Sequence, residues 1–133
     1  MADPMNYLKE ANNSLLAKYV KPMKDGIKKY LDMLSPDIKD FEVDIDFDFS
    51  IIEGGSSKEL EFLSNGYKHL ISLCMRLSLI DCLFIKENPF IVLDDPFSSL
   101  DDDKLDLSLK LIKMLAKERQ VIYFTCHDSR IIK

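Results

Sequence analysis

The stretch Phe90-Ile91-Val92-Leu93-Asp94-Asp95-Pro96 restricts this chain more than any other part of it. Four consecutive apolar residues, bounded by Asn88-Pro89 and by Pro96, predict a short strand buried on both faces, as in a parallel sheet. The strand closes on two adjacent carboxylates. Side chains at the carboxyl end of a parallel strand lie in the crevice where open α/β sheets bind ligands. A hard divalent cation and phosphates would neutralise two carboxylates there. The plain alternative is a strand-ending turn of the Asp-Pro kind.

The surrounding pattern supplies the rest of a sheet. Val121-Ile122-Tyr123-Phe124-Thr125 predicts a second buried strand. Between the two strands, a helix begins after Asp101-Asp102-Asp103 and runs to about Glu118. Its acidic first turn and its basic end, Lys117 and Arg119, suit the helix dipole. Upstream, Leu70, Leu73, Leu77, Ile80 and Phe84 keep a helical period from about Asn65 to Lys86. The second half therefore reads helix, strand, helix, strand: a parallel crossover.

The first half differs. Leu8, Ala11, Leu15, Tyr19, Met23, Ile27, Tyr30 and Leu34 recur at three- and four-residue steps, which predicts one long helix with a basic outer face from about Met5 to Leu34. Pro22 predicts a kink or a restart near Val20-Lys21, because proline removes a helix hydrogen bond and crowds the previous turn. Ser35-Pro36 ends the helix. Two readings stay open: a packed surface helix or helical pair, and the returning end of a coiled-coil arm. Phe41 to Ile51 alternates strictly between apolar and acidic or polar residues, which predicts one strand with a solvated acidic side. Gly54-Gly55-Ser56-Ser57 predicts a turn or loop. The fold class is α/β, a partial parallel sheet with flanking helices. Its segments are 1–36, helical, and 37–133, the α/β lobe.

Composition narrows the function classes. Of 133 residues, 47% are apolar and 31% charged, enough for a core and against disorder. The net charge of −5 argues against a free-standing nucleic-acid binder. Three cysteines, Cys74, Cys82 and Cys126, form no CxxC or zinc spacing. With the odd count, no long apolar run and no targeting pattern at Met1-Ala2-Asp3-Pro4, the expected setting is reducing and cytoplasmic, with no membrane. Cys126 beside His127 is a metal-ligating pair by type, but the sequence offers no neighbours to complete four ligands. Arg130 and Lys68 are expected on the solvated surface.

Four short motifs occur in a fixed order. Leu63-Ser64-Asn65-Gly66 opens a helix, Asp94-Asp95 ends a strand, Ser98-Ser99-Leu100-Asp101 follows at once, and His127 stands after the next strand. Over roughly Phe41 to Arg130 this order resembles the C-terminal lobe of ABC-type ATPase heads. The segments resemble, in turn, the signature, the end of Walker B, the D-loop and the H-loop. The long basic helix before the lobe, and Arg76 within the leucine-rich helix, resemble SMC-like DNA-repair ATPases of the SbcC or RecN type. Transporter ABC domains and overcoming-lysogenization-type nuclease heads are lesser alternatives.

The resemblance implies roles. Ser64, Asn65 and Gly66 would meet a phosphate at a helix N-terminus, and Asp101 would position the opposite site across a dimer. Asp94 would hold Mg2+, Asp95 would orient the attacking water, and His127 would contact the γ-phosphate of ATP. Two plain roles stand beside these: Ser64 and Asp101 as helix caps. Three positions depart from the pattern. Asn65 stands where Gly is usual, Tyr67 where Gln or Glu is usual, and Asp95 where Glu is usual. The shorter Asp95 implies slow hydrolysis.

No G-x-x-x-x-G-K-[ST] occurs in the sequence. The expected partners are therefore an N-terminal lobe carrying that loop and a second protomer in a head-to-head dimer, with DNA as a partner of the complete protein. The isolated chain is expected to be inactive and to leave apolar surface open. A non-hydrolysing nucleotide-gated module and an unrelated α/β adaptor are the competing readings.

Overall fold

The computed structural model describes residues 3–132. Met1, Ala2 and Lys133 lie outside the described residues, and with them the start of the segment read for targeting.

Helix α1 spans Pro4–Leu34. The Asp3 carboxylate accepts from the Met5 amide at 3.0 Å, and Pro4 sits in the first turn, where its missing N–H costs nothing. At the far end the Ser35 amide donates to the Leu31 carbonyl at 2.7 Å. The helix runs unbroken through Pro22, so the expected restart is absent. The turn that follows is held from outside, because the buried Ser78 hydroxyl donates to the Met23 carbonyl at 2.6 Å. Met23, Ile27, Tyr30, Leu31 and Leu34 are buried, whereas Leu8, Leu15 and Tyr19 on the same stripe are exposed.

Three antiparallel strands follow in spatial order: β1 Asp40–Val43, β2 Phe49–Glu53 and β3 Ser56–Glu59. The single strand expected over Phe41–Ile51 is thus a hairpin. Its tip is folded by Asp44, whose Oδ1 accepts from the amides of Asp46 and Asp48 at 2.9 Å each, and by Phe47 with φ of 64°. The loop preserves parity. Val43 pairs with Phe49, so Phe41, Val43, Phe49 and Ile51 all remain on the buried side, and alternation alone could not reveal the break. Gly54 and Gly55, at φ of 56° and 80°, make the second turn, while Ser56 and Ser57, expected in the loop, pair in β3.

Helix α2 spans Asn65–Leu83, three residues shorter than expected, and α3 spans Asp102–Glu118. Strand β4, Ile91–Asp94, pairs in parallel with β5, Val121–Phe124. The expectation that these strands are buried on both faces is corrected. Ile91 and Leu93 face the core, but Val92 is 51% exposed, and Phe90, Ile122 and Phe124 are exposed with it. No element among the described residues covers that face of the two-stranded ladder.

One side chain ties all three helices together. Asp81 of α2 accepts from the Tyr30 hydroxyl of α1 and from Arg119 at the end of α3, the latter at 2.9 Å with the guanidinium side chain 7% exposed. No described helix is long and apolar enough to cross a membrane.

Candidate functional site

The end of β4 places Asp95 in an uncommon backbone state. Its φ is 39°, a left-handed value that Asp and Asn tolerate better than most residues. Its amide extends the ladder by donating to the Phe124 carbonyl at 2.9 Å. The carboxylate is thereby turned onto the segment that leaves β5. Oδ1 accepts from the Thr125 hydroxyl at 3.4 Å and from Arg130 Nη1 at 3.3 Å, and Oδ2 accepts from the Cys126 thiol at 3.3 Å.

His127 completes this group. Its amide donates to Thr125 Oγ1 at 3.2 Å, and the ligating atoms of Asp95, Cys126 and His127 all lie within 4.8 Å of one another. A short 3-10 turn, Asp128–Arg130, folds the guanidinium back. The Arg130 side chain is 12% exposed, and its Nη2 donates to the Ser98 carbonyl at 3.4 Å. The expectation of a solvated Arg130 is corrected: its ion pair with Asp95 holds it in the site. The thiol of Cys126, with Arg130 and His127, holds the Asp95 carboxyl below its ordinary value. In return the Asp95 hydrogen bond and charge push the Cys126 thiol up.

The segment resembling the signature forms a second group. Ser64 caps α2, its Oγ accepting from the Tyr67 amide at 3.4 Å, which leaves the hydroxyl proton free to donate. Gly66 is needed for a close approach, because a Cβ there would stand 2.9 Å from the Ser99 carbonyl oxygen. The helix N-terminus therefore rests on the Ser98–Asp101 loop. Asp101 caps α3 by accepting from the Lys104 amide at 2.9 Å. The loop joins both groups, with Ser98 on Arg130 and Ser99 on Gly66, and Phe97 beneath it is buried.

Tyr67 is held by Asp37 and Lys104 rather than left free. Its hydroxyl donates to Asp37, and Lys104 Nζ lies 4.1 Å from its ring centroid and 2.8 Å from Ser35 Oγ. The Asp37 hydrogen bond, with burial, raises the phenol above its ordinary value. Nothing in the sequence signals this cluster, since Tyr67 stands 30 residues from Asp37, and Lys104 69 residues from Ser35.

Asp94 takes no side-chain hydrogen bond among the described residues. It lines a groove of about 590 Å³ with His69 and Arg76 of α2 and with Val92 of the open ladder face. A free carboxylate is a hard oxygen donor of the kind Mg2+ selects, so the residue fits that ion.

No family model matches the chain. It is 27% identical over 104 residues to the DNA double-strand break repair Rad50 ATPase of Thermoplasma volcanium, covering 75% of this chain and 12% of that protein. It is 46% identical over 61 residues to the thiamine import ATP-binding protein ThiQ of Vibrio vulnificus, covering 43% of this chain and 26% of that one. The chain thus spans a small part of the length of these relatives. Among solved structures, one described as showing ATP-driven dimerization and DNA-stimulated activation of SMC ATPases superposes with a TM-score of 0.71 at 22% identity, covering 90% of this chain and 75% of that one. The Smc head domain of Pyrococcus furiosus, with an extended coiled coil and bound to the C-terminal domain of ScpA, superposes with a TM-score of 0.67 at 23% identity, covering 92% and 32%.

Proposed function

We infer that this chain, which has the fold of an SMC ATPase head and resembles Rad50 ATPases in sequence, is a head fragment of an SMC/Rad50-like ATPase that contributes half of a composite ATP site. The observation that carries the reading is the convergence of Asp95, His127, Thr125 and Arg130 at the ends of two parallel neighbouring strands, beside a free Asp94. The motif order had implied the places of Asp95 and His127 alone, without any geometry.

The residues divide the work. Asp94 would hold Mg2+, which when bound neutralises phosphate charge and orients the phosphates for in-line attack. Asp95 orients and polarises a water, and stays ionised because its neighbours hold its carboxyl low. His127, exposed beside it, donates toward phosphate oxygen. The Ser64 hydroxyl and the first amides of α2 face the nucleotide of a second protomer. Gly66 sets the register of that helix end against the loop of Asp101. The P-loop comes from an N-terminal lobe, since residues 37–133 read as the C-terminal lobe. Residues 1–36 read as the base of a coiled-coil arm, and the complete protein acts on DNA in repair or chromosome maintenance.

A second reading has its own support. Both Asp95 oxygens are already engaged within the chain, which suits a nucleotide-gated head that binds ATP and hydrolyses it slowly or not at all. Steady-state phosphate release and ATP-dependent dimerisation, measured together on the complete protein, decide between the two. Hydrolysis predicts that Asp95→Ala lowers turnover by about 10²-fold or more while dimerisation persists. Unchanged turnover removes Asp95 from the chemistry. Dimerisation with no turnover in the parent protein selects the second reading.

A further inference from the structure

Cys126 has no chemical role of its own at the nucleotide, yet its thiol stands inside the site. It is the exposed member of the three cysteines. Cys74 is buried, its thiol pushed up to about 12 by that burial, and Cys82 is partly buried on α2. The sequence left Cys126 and His127 as a pair without further ligands. The fold supplies a third from 31 residues away, because the left-handed backbone at Asp95 turns Oδ2 onto the Cys126 sulfur at 3.3 Å.

We propose that Asp95, Cys126 and His127 form a three-ligand site for Zn2+. The donors are one carboxylate oxygen, one sulfur and one imidazole nitrogen, a set that suits a borderline-soft ion and that Mg2+ does not select. Their ligating atoms already lie within 4.8 Å of one another. A tetrahedral ion with bonds of about 2.0–2.3 Å needs ligand separations of about 3.3–3.8 Å, so closure takes movements on the order of 1 Å. Asp95 Oδ1 keeps Arg130 and Thr125, and only Oδ2 changes partner, from the thiol to the metal. Binding replaces the S–H bond by S–Zn and releases one proton to solvent, with no change of oxidation state. The thiolate so formed offsets the Arg130 charge, which would otherwise oppose a cation. A water fills the fourth position.

The site itself stands on this geometry alone. Its consequence rests on the ATPase reading: an ion that holds Oδ2 of Asp95 and the ring of His127 removes both from a nucleotide, so zinc would act as an inhibitor of the assembled head.

Titration of this 133-residue chain with Co2+, followed by displacement with Zn2+, tests the site without any nucleotide. One equivalent of Co2+ should produce a thiolate charge-transfer band in the near ultraviolet and tetrahedral d–d bands in the visible, and Zn2+ should abolish both. Cys126→Ser should lose the charge-transfer band. Asp95→Asn, chosen because Asn also tolerates the left-handed backbone, and His127→Ala should each weaken Co2+ binding by about tenfold or more. Cys82→Ser should change nothing. Circular dichroism of each variant checks that the fold is retained. No thiolate band, a band that survives Cys126→Ser, or equal affinity in the folded Asp95→Asn and His127→Ala variants would overturn the proposal. Because no ATP is involved, these outcomes are independent of whether the complete protein hydrolyses it.

Discussion

The two halves of α1 carry one stripe and meet two fates. Met23, Ile27, Tyr30 and Leu34 are buried against the rest of the chain, while Leu8, Leu15 and Tyr19, at the same spacing, face outward. From Pro4 to Lys21 only Leu16 and Val20 are partly covered. The helical period is equally clean in both halves, so periodicity states which side of a helix seeks cover and is silent about what provides it. In the second half the cover is α2, brought close by Gly26, where a Cβ would lie 2.3 Å from Ser78 Oγ. In the first half no described residue provides it. That agrees with the reading of residues 1–36 as the base of a coiled-coil arm.

Substitutions along the stripe can break this contrast. Ile27→Ala should destabilise the chain by about 2–5 kcal/mol in urea unfolding, as a fully buried side chain that leaves a cavity. Leu15→Ala, at a residue 55% exposed, should stay within about 0.5 kcal/mol. Equal losses at the two sites would show that the outer half is covered after all. Gly26→Ala should cost about 1–3 kcal/mol, because the methyl group must push α2 away and strain the Ser78 bond to Met23.

A pH series sharpens the buried half further. Burial, together with the Asp81 hydrogen bond, raises the Tyr30 phenol well above its ordinary 10.0. The folded state therefore holds this proton longer than the unfolded chain does. That contribution is complete below about pH 10 and is lost as pH rises from there toward the raised value. Tyr30→Phe should flatten the alkaline fall in stability, at a cost near neutrality of about 1–3 kcal/mol for the lost bond to a carboxylate. An unchanged alkaline slope would remove Tyr30 as its source. A smaller effect belongs at the start of α2, where Ser64→Ala should cost about 0.5–1 kcal/mol, since its cap bond is long at 3.4 Å.

The same logic explains what could be read in advance. The parallel pair β4 and β5, the three helices and the caps at Ser64 and Asp101 followed from local patterns: apolar runs, helical period and capping residues. The break at Asp44–Phe47 did not, because a loop that preserves parity leaves alternation intact. That apolar surface would stay open was expected from the missing P-loop motif, but its place on β4 and β5 was not, because a continuous apolar run shows only that a strand is meant to be covered. In the site, Asp95 and His127 could be placed by motif order. The parts played by Arg130 and Cys126 could not, since both depend on one left-handed residue and one short turn. Tyr67 stood out only as an unusual residue, and its partners Asp37 and Lys104 became visible only in three dimensions.

The exposed part of α1 also has a mechanical meaning. From Pro4 to Pro22 it extends about 28 Å at a rise of about 1.5 Å per residue. Pro22, which forfeits one hydrogen bond, lies just before the first buried residue, Met23. The softest joint of this lever therefore coincides with its fulcrum. A rotation on the order of 10° at the α1–α2 contact would carry the outer end of this segment roughly 5 Å sideways over that length.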